Sequence, residues 1–279
     1  MEKRQTQGRR WPWWPLVLLA VLLLAGVLFW RWRTPSTILY RDRELAVQRE
    51  VPRSHYKEDH FLMDEQGRMS YKNLHGEARL GIDVSYYQED IDWEAVADDG
   101  IEFAIIRIGY RGYGSGAIKL DQRFEENLQE AKAAGLEVGV YFFSQAITPQ
   151  EAAEEADFVL AVLAGRELEY PVVFDWEWIE PGKNARTDHM TGQTMTECAA
   201  AFAQRIEAGG YEPMIYFNTD MGYLDYELAQ LKDWPFWLAR YSTQPDFYYD
   251  FDLWQFSHTG QVAGIQGNVD LNLDLRTVK

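Results

Sequence analysis

The sequence is poor in the residues that disulfide, metal and nucleophile chemistry require. Its 279 residues include a single cysteine, Cys198, which excludes a disulfide framework and a CxxC site. The five histidines form no HExxH motif, and neither a GxSxG elbow nor a GK[ST] phosphate loop is present. We therefore expect no metal and no cofactor. Basic residues are also scarce, with 27 Lys and Arg against 44 Asp and Glu, and a net charge of −17 argues against nucleic acid as a partner.

The N-terminus carries one long apolar run over residues 16–30. Tryptophans flank it on both sides and basic residues precede it, a pattern typical of a membrane helix with its N-terminus in the cytoplasm. The pattern predicts a short cytoplasmic segment over residues 1–10, a transmembrane signal-anchor over residues 11–33, and an extracellular remainder. The alternative is a cleaved signal peptide and a secreted protein, but no small-x-small cleavage pattern follows the run.

Residues 34–76 are polar and weakly periodic, which predicts an extracellular stalk. Within this stalk, residues 61–71 predict a small hairpin about the turn Glu65-Gln66-Gly67, because glycine accepts a positive φ without strain.

From residue 80 onward, short apolar runs alternate with amphipathic stretches. Eight runs predict strands, at residues 82–85, 103–109, 138–144, 172–178, 213–218, 236–241, 251–257 and 269–273. Nearly continuous apolar runs are typical of strands covered on both faces, and eight of them with intervening helices predict a TIM-like (β/α) barrel over residues 77–279. The last spacings are too short for full crossover helices, so we expect an irregular α/β barrel that is helix-poor in its final third. An open doubly wound sheet, the alternative, needs the same missing helices.

Local patterns also predict where three helices begin. Asp121 is predicted to cap the first of them, and Thr148-Pro149-Gln150-Glu151 reads as a capping box with proline at the first helical position. Thr194-Met195-Thr196-Glu197 is a second such box, and its helix is predicted to end at Gly209-Gly210.

The segment PVVFDWEW, residues 171–178, holds the most informative acids. Asp175 and Glu177 lie two residues apart on a strand, so their side chains share one face, and the apolar residues before them supply a low-dielectric base. Two carboxyl groups this close raise one pKa, as a general acid working near neutral pH requires. Ordinary surface acids at a solvated strand end are the weaker interpretation, because most of the segment is apolar.

Further acids end or interrupt other apolar strands. Asp83, in LGIDVS, is either a second site acid or the cap of the next helix. Asp270, in GNVDLNLDL, is a third candidate, although periodicity alone does not choose between it and Asp274 as the inward-facing acid.

Aromatic residues cluster near the predicted strand ends. They are Tyr86, Tyr87, Tyr110, Tyr113, Tyr141, Phe143, Tyr216, Trp237, Tyr241 and Trp254. A single ring is more often part of a core, but rings also stack on the apolar faces of pyranoses. Several acids with aromatic walls, and no metal or nucleotide motif, indicate a glycoside hydrolase.

These motifs occur together in one order. They are GIDVSYYQ at 81–88, DIDWEAV at 90–96, FAIIRIGYRG at 103–112, VGVYFFS at 138–144, FDWE at 174–177, FWLARY at 236–241 and WQFS at 254–257, with GNVDLN closing the series. Over roughly residues 80–275 the chain resembles the glycoside hydrolase family 25 lysozymes, the Chalaropsis-type or Cellosyl-like N-acetylmuramidases. The resemblance implies hydrolysis of the β-1,4 bond between N-acetylmuramic acid and N-acetylglucosamine in peptidoglycan.

The resemblance also implies roles for individual acids. Glu177 corresponds to the catalytic acid of the DxE motif and Asp175 to its aspartate, while Asp83 and Asp270 match the first-strand and last-strand aspartates. We expect Glu177 to protonate the leaving oxygen and then to act as base, with Asp175 orienting the 2-acetamido group for substrate-assisted attack. Direct attack by Asp83 or Asp175 is the alternative.

The remaining expectations concern ligands and partners. The substrate-binding set is expected to comprise Asp270, Tyr86, Tyr110, Tyr141, Tyr216, Trp237, Tyr241 and Trp254. The expected partners are peptidoglycan glycan strands and the membrane, with no nucleic acid, and the expected state is a monomer. Two other functions fit the same residues: a membrane-tethered wall-binding module without catalysis, and a hydrolase of another N-acetylated glycan such as chitin.

Overall fold

The computed structural model describes residues 14–33 and 36–279, and it divides into two compact units between residues 47 and 48. The predicted cytoplasmic segment, residues 1–10, lies outside the described residues.

The first unit contains one helix and one hairpin. Helix α1 (Trp14–Arg33) includes the apolar run, and strands β1 (Thr37–Tyr40) and β2 (Arg43–Ala46) pair antiparallel across a two-residue turn. Both turn residues, Arg41 and Asp42, have positive φ, as the tight turns that suit a hairpin require. Among the helices of the described residues, none is both long enough and apolar enough to cross a membrane.

The second unit contains all eight predicted barrel strands. In chain order they are β5 (Arg79–Val84), β6 (Phe103–Arg111), β8 (Glu137–Ser144), β9 (Val172–Trp176), β10 (Pro213–Asn218), β11 (Phe236–Ala239), β12 (Leu253–Gly260) and β13 (Val269–Asp274). The sheet closes on itself because β5 pairs with both β6 and β13. Neighbouring strands are parallel, except that β13 runs antiparallel to β12 and β5. The prediction of a closed, irregular α/β barrel is confirmed.

Short elements and helices surround this barrel. The short strands are β3 (Phe61–Met63), β4 (Met69–Tyr71) and β7 (Ile118–Leu120), the last of which extends the sheet beside β6. The helices are α2 (Trp93–Asp98), α3 (Phe124–Ala133), α4 (Pro149–Leu163), α5 (Gly192–Ala208), α6 (Thr219–Leu224) and α7 (Leu228–Leu231). Over residues 236–274, all of which the structure describes, no α-helix joins the strands, so the helix-poor final third is confirmed.

One of the three predicted helix starts is confirmed. The Thr148 side chain accepts a hydrogen bond from the Glu151 amide and caps α4. The prediction for α5 is wrong by one turn, because Thr191 caps that helix and Thr194 lies inside it. Asp121 is not the N-cap of α3, because Arg123 occupies that position; its Oδ1 accepts from the Arg123 amide at 2.9 Å, and its Oδ2 accepts from the buried Arg107.

Side chains alternate between the inside and the outside of the barrel along each strand. The inner apolar cluster is formed by Phe103, Ile105, Tyr170, Val173, Met214, Tyr216, Trp237, Ala239 and Leu253. Gly81 gives this cluster room, because a Cβ atom there would lie 2.4 Å from the Phe103 ring. The cluster fills the middle of the barrel and forms a floor beneath its carboxyl edge.

The outer face that lacks helices is covered by residues 48–76. The predicted hairpin is confirmed, with β3 paired antiparallel to β4 and Gly67 at φ +77° in the turn. Its Phe61 is buried and packs edge-on against Trp254 of β12, with ring centroids 5.1 Å apart. Nearby, the Tyr56 hydroxyl donates to the Phe251 carbonyl at 2.7 Å. Residues 48–76, which the sequence assigned to a stalk, therefore lie in the same compact unit as the barrel.

Candidate active site

Four acids meet at the carboxyl edge of the barrel. Asp83 lies near the end of β5, Asp175 near the end of β9, and Glu177 directly after β9. Because β13 is antiparallel, its first residues reach the same edge, and Asp270 pairs in register with Asp83. All four line one cavity of about 250 Å³.

The two acids of β13 lie at opposite ends of the barrel. Asp274 is buried, accepts a hydrogen bond from the Tyr170 hydroxyl at 2.7 Å and forms an ion pair with Arg276 at 2.9 Å. Because these partners neutralise Asp274 away from the cavity, Asp270 is the site acid on this strand.

Two side-chain amides hold Asp83 in place. Its Oδ2 accepts hydrogen bonds from Gln255 Nε2 at 2.7 Å and from Asn272 Nδ2 at 2.8 Å. The Trp237 indole in turn donates to Asn272 Oδ1 at 2.9 Å, which fixes the orientation of that amide. The next short helix is capped by Ser85, so the alternative role of Asp83 as a cap is excluded.

Two tyrosine hydroxyls complete this network, one on β10 and one just after β11. The Tyr216 and Tyr241 hydroxyls both donate to Gln255 Oε1, at 3.0 and 3.1 Å. The Tyr216 hydroxyl also lies close enough to the Glu177 carboxyl group to oppose the rise of its pKa. Its single hydrogen is donated to Gln255, which in turn donates to Asp83.

Burial shifts the titration of all four acids in the same direction. It raises the pKa of Asp83 and Asp175 well above their usual range, and neighbouring carboxylates add to both shifts. Burial also raises the pKa of Glu177, and it raises the pKa of Asp270 to about 6. Carboxyl groups that are shielded from water and repel one another hold their protons to higher pH than exposed ones do, as general acid catalysis requires.

A comparison with known proteins identifies the family. The model described as Glycosyl hydrolases family 25 matches residues 82–265. The chain belongs to glycosyl hydrolase family 25. The resemblance found in the sequence is thereby confirmed.

Individual relatives agree with this membership. The chain is 31% identical over 214 residues to YegX of Escherichia coli K12. The aligned region covers 71% of this chain and 70% of that protein. It is 29% identical over 205 residues to Lysozyme M1 of Streptomyces globisporus, covering 69% and 66%. Among solved structures, the spore cortex lytic enzyme SleM of Clostridium perfringens superposes with a TM-score of 0.61 at 23% identity, covering 73% of this chain and 68% of that one.

Of the seven aromatic residues in the expected substrate-binding set, four line the cavity of this family 25 chain and three do not. Those in the wall are Tyr141, Tyr216, Trp237 and Tyr241. Trp254 is a correction, because strand alternation directs it to the outer face, where it contacts Phe61. Its neighbour Gln255 lies in the cavity instead.

Tyr86 and Tyr110 do not line the cavity but flank the buried side chain of Arg107. The guanidinium lies 4.9 and 5.3 Å from their ring centroids, and its Nε donates to Asp121 at 2.8 Å. Arg107 itself reaches the cavity and is the cation nearest the acids in its lining. Tyr86 and Tyr110 therefore help to hold this arginine, and their contact with a sugar stays a prediction.

Among the polar residues of the family 25 site that were not predicted, three lie on barrel strands. Gln255, Asn272 and Arg107 each interrupt an otherwise apolar strand, which was the available signal. Asn272 lies two residues after Asp270, so strand periodicity places both side chains on one face.

Two tryptophans flank Glu177 on the outward side of its strand. Trp176 is fully buried, and its indole donates to the Ala146 carbonyl at 3.0 Å. The Trp178 side chain is 40% exposed and donates to Asp225 at 2.9 Å. The two rings meet edge-on with centroids 5.0 Å apart.

The raised pKa of Asp270 predicts a pH-dependent effect of Asp270→Asn. The pKa lies at about 6 in the fold against an ordinary value of 3.8, so ionising this acid opposes folding. The contribution of Asp270 to the free energy of unfolding is fully present below pH 4 and is lost as the pH rises through 6. The melting temperature of Asp270→Asn minus that of wild type is therefore expected to be larger at pH 8 than at pH 4.

Thermal unfolding at the two pH values measures this difference. Asp233→Asn, at an exposed acid, is the matched control and should show no comparable change with pH. A difference between Asp270→Asn and wild type that stays constant from pH 4 to pH 8 would contradict the prediction.

Proposed function

We propose that this chain is a lysozyme-type N-acetylmuramidase, which hydrolyses the β-1,4 bond between N-acetylmuramic acid and N-acetylglucosamine in peptidoglycan. The observation that carries the proposal is the set of four acids, two buried and two half-buried, whose raised pKa values occur together in one cavity of a family 25 barrel. The similarity to Lysozyme M1 supports the substrate class.

Glu177 is the proposed catalytic acid. Its raised pKa lets the carboxyl group hold its proton to higher pH than an exposed glutamate does, and this proton is given to the leaving glycosidic oxygen. The same group, now a carboxylate, then takes a proton from the attacking water in the second step. The Tyr216 hydroxyl opposes part of the rise in the Glu177 pKa, and turning its hydrogen from Gln255 to the carboxylate would stabilise the anion between the two steps.

Asp175 is proposed to act on the 2-acetamido group of the substrate. Its Oδ1 is buried and has no hydrogen-bond partner among the described residues, so it is available to accept the acetamido N–H. That contact would direct the acetamido carbonyl onto C1 for substrate-assisted, retaining hydrolysis. The two amides on Asp83 Oδ2 reduce its nucleophilicity, which supports a holding role for Asp83 and Asp270.

The two mechanisms differ in their need for the acetamido group. De-N-acetylated glycan should resist the substrate-assisted route, whereas direct attack by Asp175 would cleave it as well. The products of both glycans, compared by mass spectrometry, separate the two.

The activity is tested by incubating the full chain with purified peptidoglycan and following turbidity and new reducing ends. We expect clearance with muramic acid at the new reducing ends. Sedimentation with the wall and no new reducing ends would instead indicate a binding module. New ends from chitin but not from peptidoglycan would indicate another N-acetylated glycan as substrate.

We further propose that the N-terminal run anchors the chain in the membrane with the barrel outside the cell. The apolar residues 16–30, the flanking tryptophans and the preceding basic residues support this arrangement. The intact N-terminal segment should therefore be found in the membrane fraction by mass spectrometry. A mature N-terminus between residues 30 and 45 would show a cleaved signal peptide instead.

A further inference from the structure

Glu177 is the first residue beyond the ladder between β8 and β9. The last register pair is Ser144 with Trp176, so no strand pairing fixes the backbone of Glu177. The side chain of Gln145 supplies the missing contact, because its Nε2 donates to the Glu177 carbonyl at 2.9 Å. Gln145 also follows Ser144 directly, so it extends the ladder by one step through its side chain.

The Gln145 side chain is itself held at both ends. It is fully buried, and its second amide hydrogen is donated to the Ser144 carbonyl at 2.9 Å. Its Oε1 accepts from the Thr187 hydroxyl at 3.1 Å. All hydrogen-bonding groups of this amide are therefore engaged, which leaves it one orientation.

Two ion pairs, each with an acid of helix α4, lie next to the backbone of Gln145. Its carbonyl accepts from Arg186 at 3.1 Å, and Arg186 forms an ion pair with Glu151 at 2.6 Å. The buried Glu155, also on α4, lies beside the Gln145 amide and pairs with Arg111 at 2.6 Å. Gln145 thus connects a rigid helix to the backbone of the proposed acid.

We propose that Gln145 is a positioning residue for Glu177. By fixing the Glu177 backbone it holds the carboxyl group at the glycosidic oxygen, and it does so without touching the substrate. A small displacement of a catalytic group from the reacting atom lowers the rate of the chemical step but leaves ground-state binding intact. The inference rests on the proposed role of Glu177 as the catalytic acid.

The test is the variant Gln145→Met, which keeps the length of the side chain and removes its hydrogen bonds. We expect kcat on peptidoglycan to fall by about 10- to 100-fold, because small misplacements of catalytic groups cost about that much. KM and the fraction of enzyme that sediments with peptidoglycan should stay at wild-type values.

A control separates positioning from a general loss of stability. Thr196→Val removes a buried hydroxyl that bonds to Gly192 and Glu227, away from the cavity. Both variants are measured well below their melting temperatures, and only Gln145→Met should lose kcat.

The possible failures are distinguishable. Wild-type kcat in Gln145→Met, together with an inactive Glu177→Gln, would overturn the positioning role and leave the proposed function standing. Equal loss of kcat in Gln145→Met and Thr196→Val would also overturn it. An active Glu177→Gln would instead remove the proposed catalytic acid.

Discussion

Glu177→Gln is expected to lower kcat on peptidoglycan by about 10²- to 10⁴-fold, the range that general acid catalysis contributes. The amide has the shape of the carboxyl group and can keep the Tyr216 contact, but it cannot protonate the leaving oxygen. KM should change little, because the lost interaction acts in the transition state. Release of reducing ends, measured over a range of peptidoglycan concentrations, gives both constants.

Glu180→Gln is the matched control for this substitution. Glu180 lies three residues further along the same loop, is exposed, and pairs with Lys183 at 3.0 Å. It carries the same chemical change outside the cavity lining, so wild-type kcat is expected. Equal activities of Glu177→Gln and wild type would refute the assignment of the acid.

Phe61→Ala is expected to lower the free energy of unfolding by about 3–5 kcal/mol, the usual range for a buried phenylalanine. Phe61 is only 6% exposed, and its ring meets Tyr71 at 4.6 Å and Trp254 at 5.1 Å between centroids. The substitution would open a cavity between residues 48–76 and the barrel. Denaturant unfolding of the full chain measures the change.

Leu62→Ala provides the comparison within the same strand. Leu62 is 65% exposed and lies on the opposite face of the hairpin, so its truncation should change stability by less than about 0.5 kcal/mol. Equal and small effects at the two positions would mean that residues 48–76 contribute little to the stability of the barrel.

The barrel strands were predictable because their signal is local. A run of apolar residues such as Val172, Val173 and Phe174 is visible without knowing its partners, and all eight such runs became strands. The acids were predictable for a related reason, since a charge at the end of a buried strand stands out from its neighbours. Asp175 and Glu177 line the cavity as their spacing predicts.

The inward face of a strand was harder to predict. Where both faces are apolar, alternation does not reveal which one points into the barrel, and Trp254 was placed inside although Gln255 occupies that side. Asp121 was misplaced for a similar reason, because a local capping rule competed with the distant Arg107. The role of residues 48–76 also depends on distant contacts, as between Phe61 and Trp254.

The edge-on pair of Trp176 and Trp178 has a practical consequence for optical measurements. The Trp176 indole is buried and the Trp178 side chain is 40% exposed, and both flank the proposed acid. Indole emission depends on the polarity around the ring, so a glycan that covers Trp178 would alter the intrinsic fluorescence of the chain. Arrival of an unlabelled glycan at an inactive Glu177→Gln enzyme could then be timed separately from bond cleavage. Adding Trp178→Phe would remove the contribution of that ring and leave the contribution of Trp237 in the cavity wall.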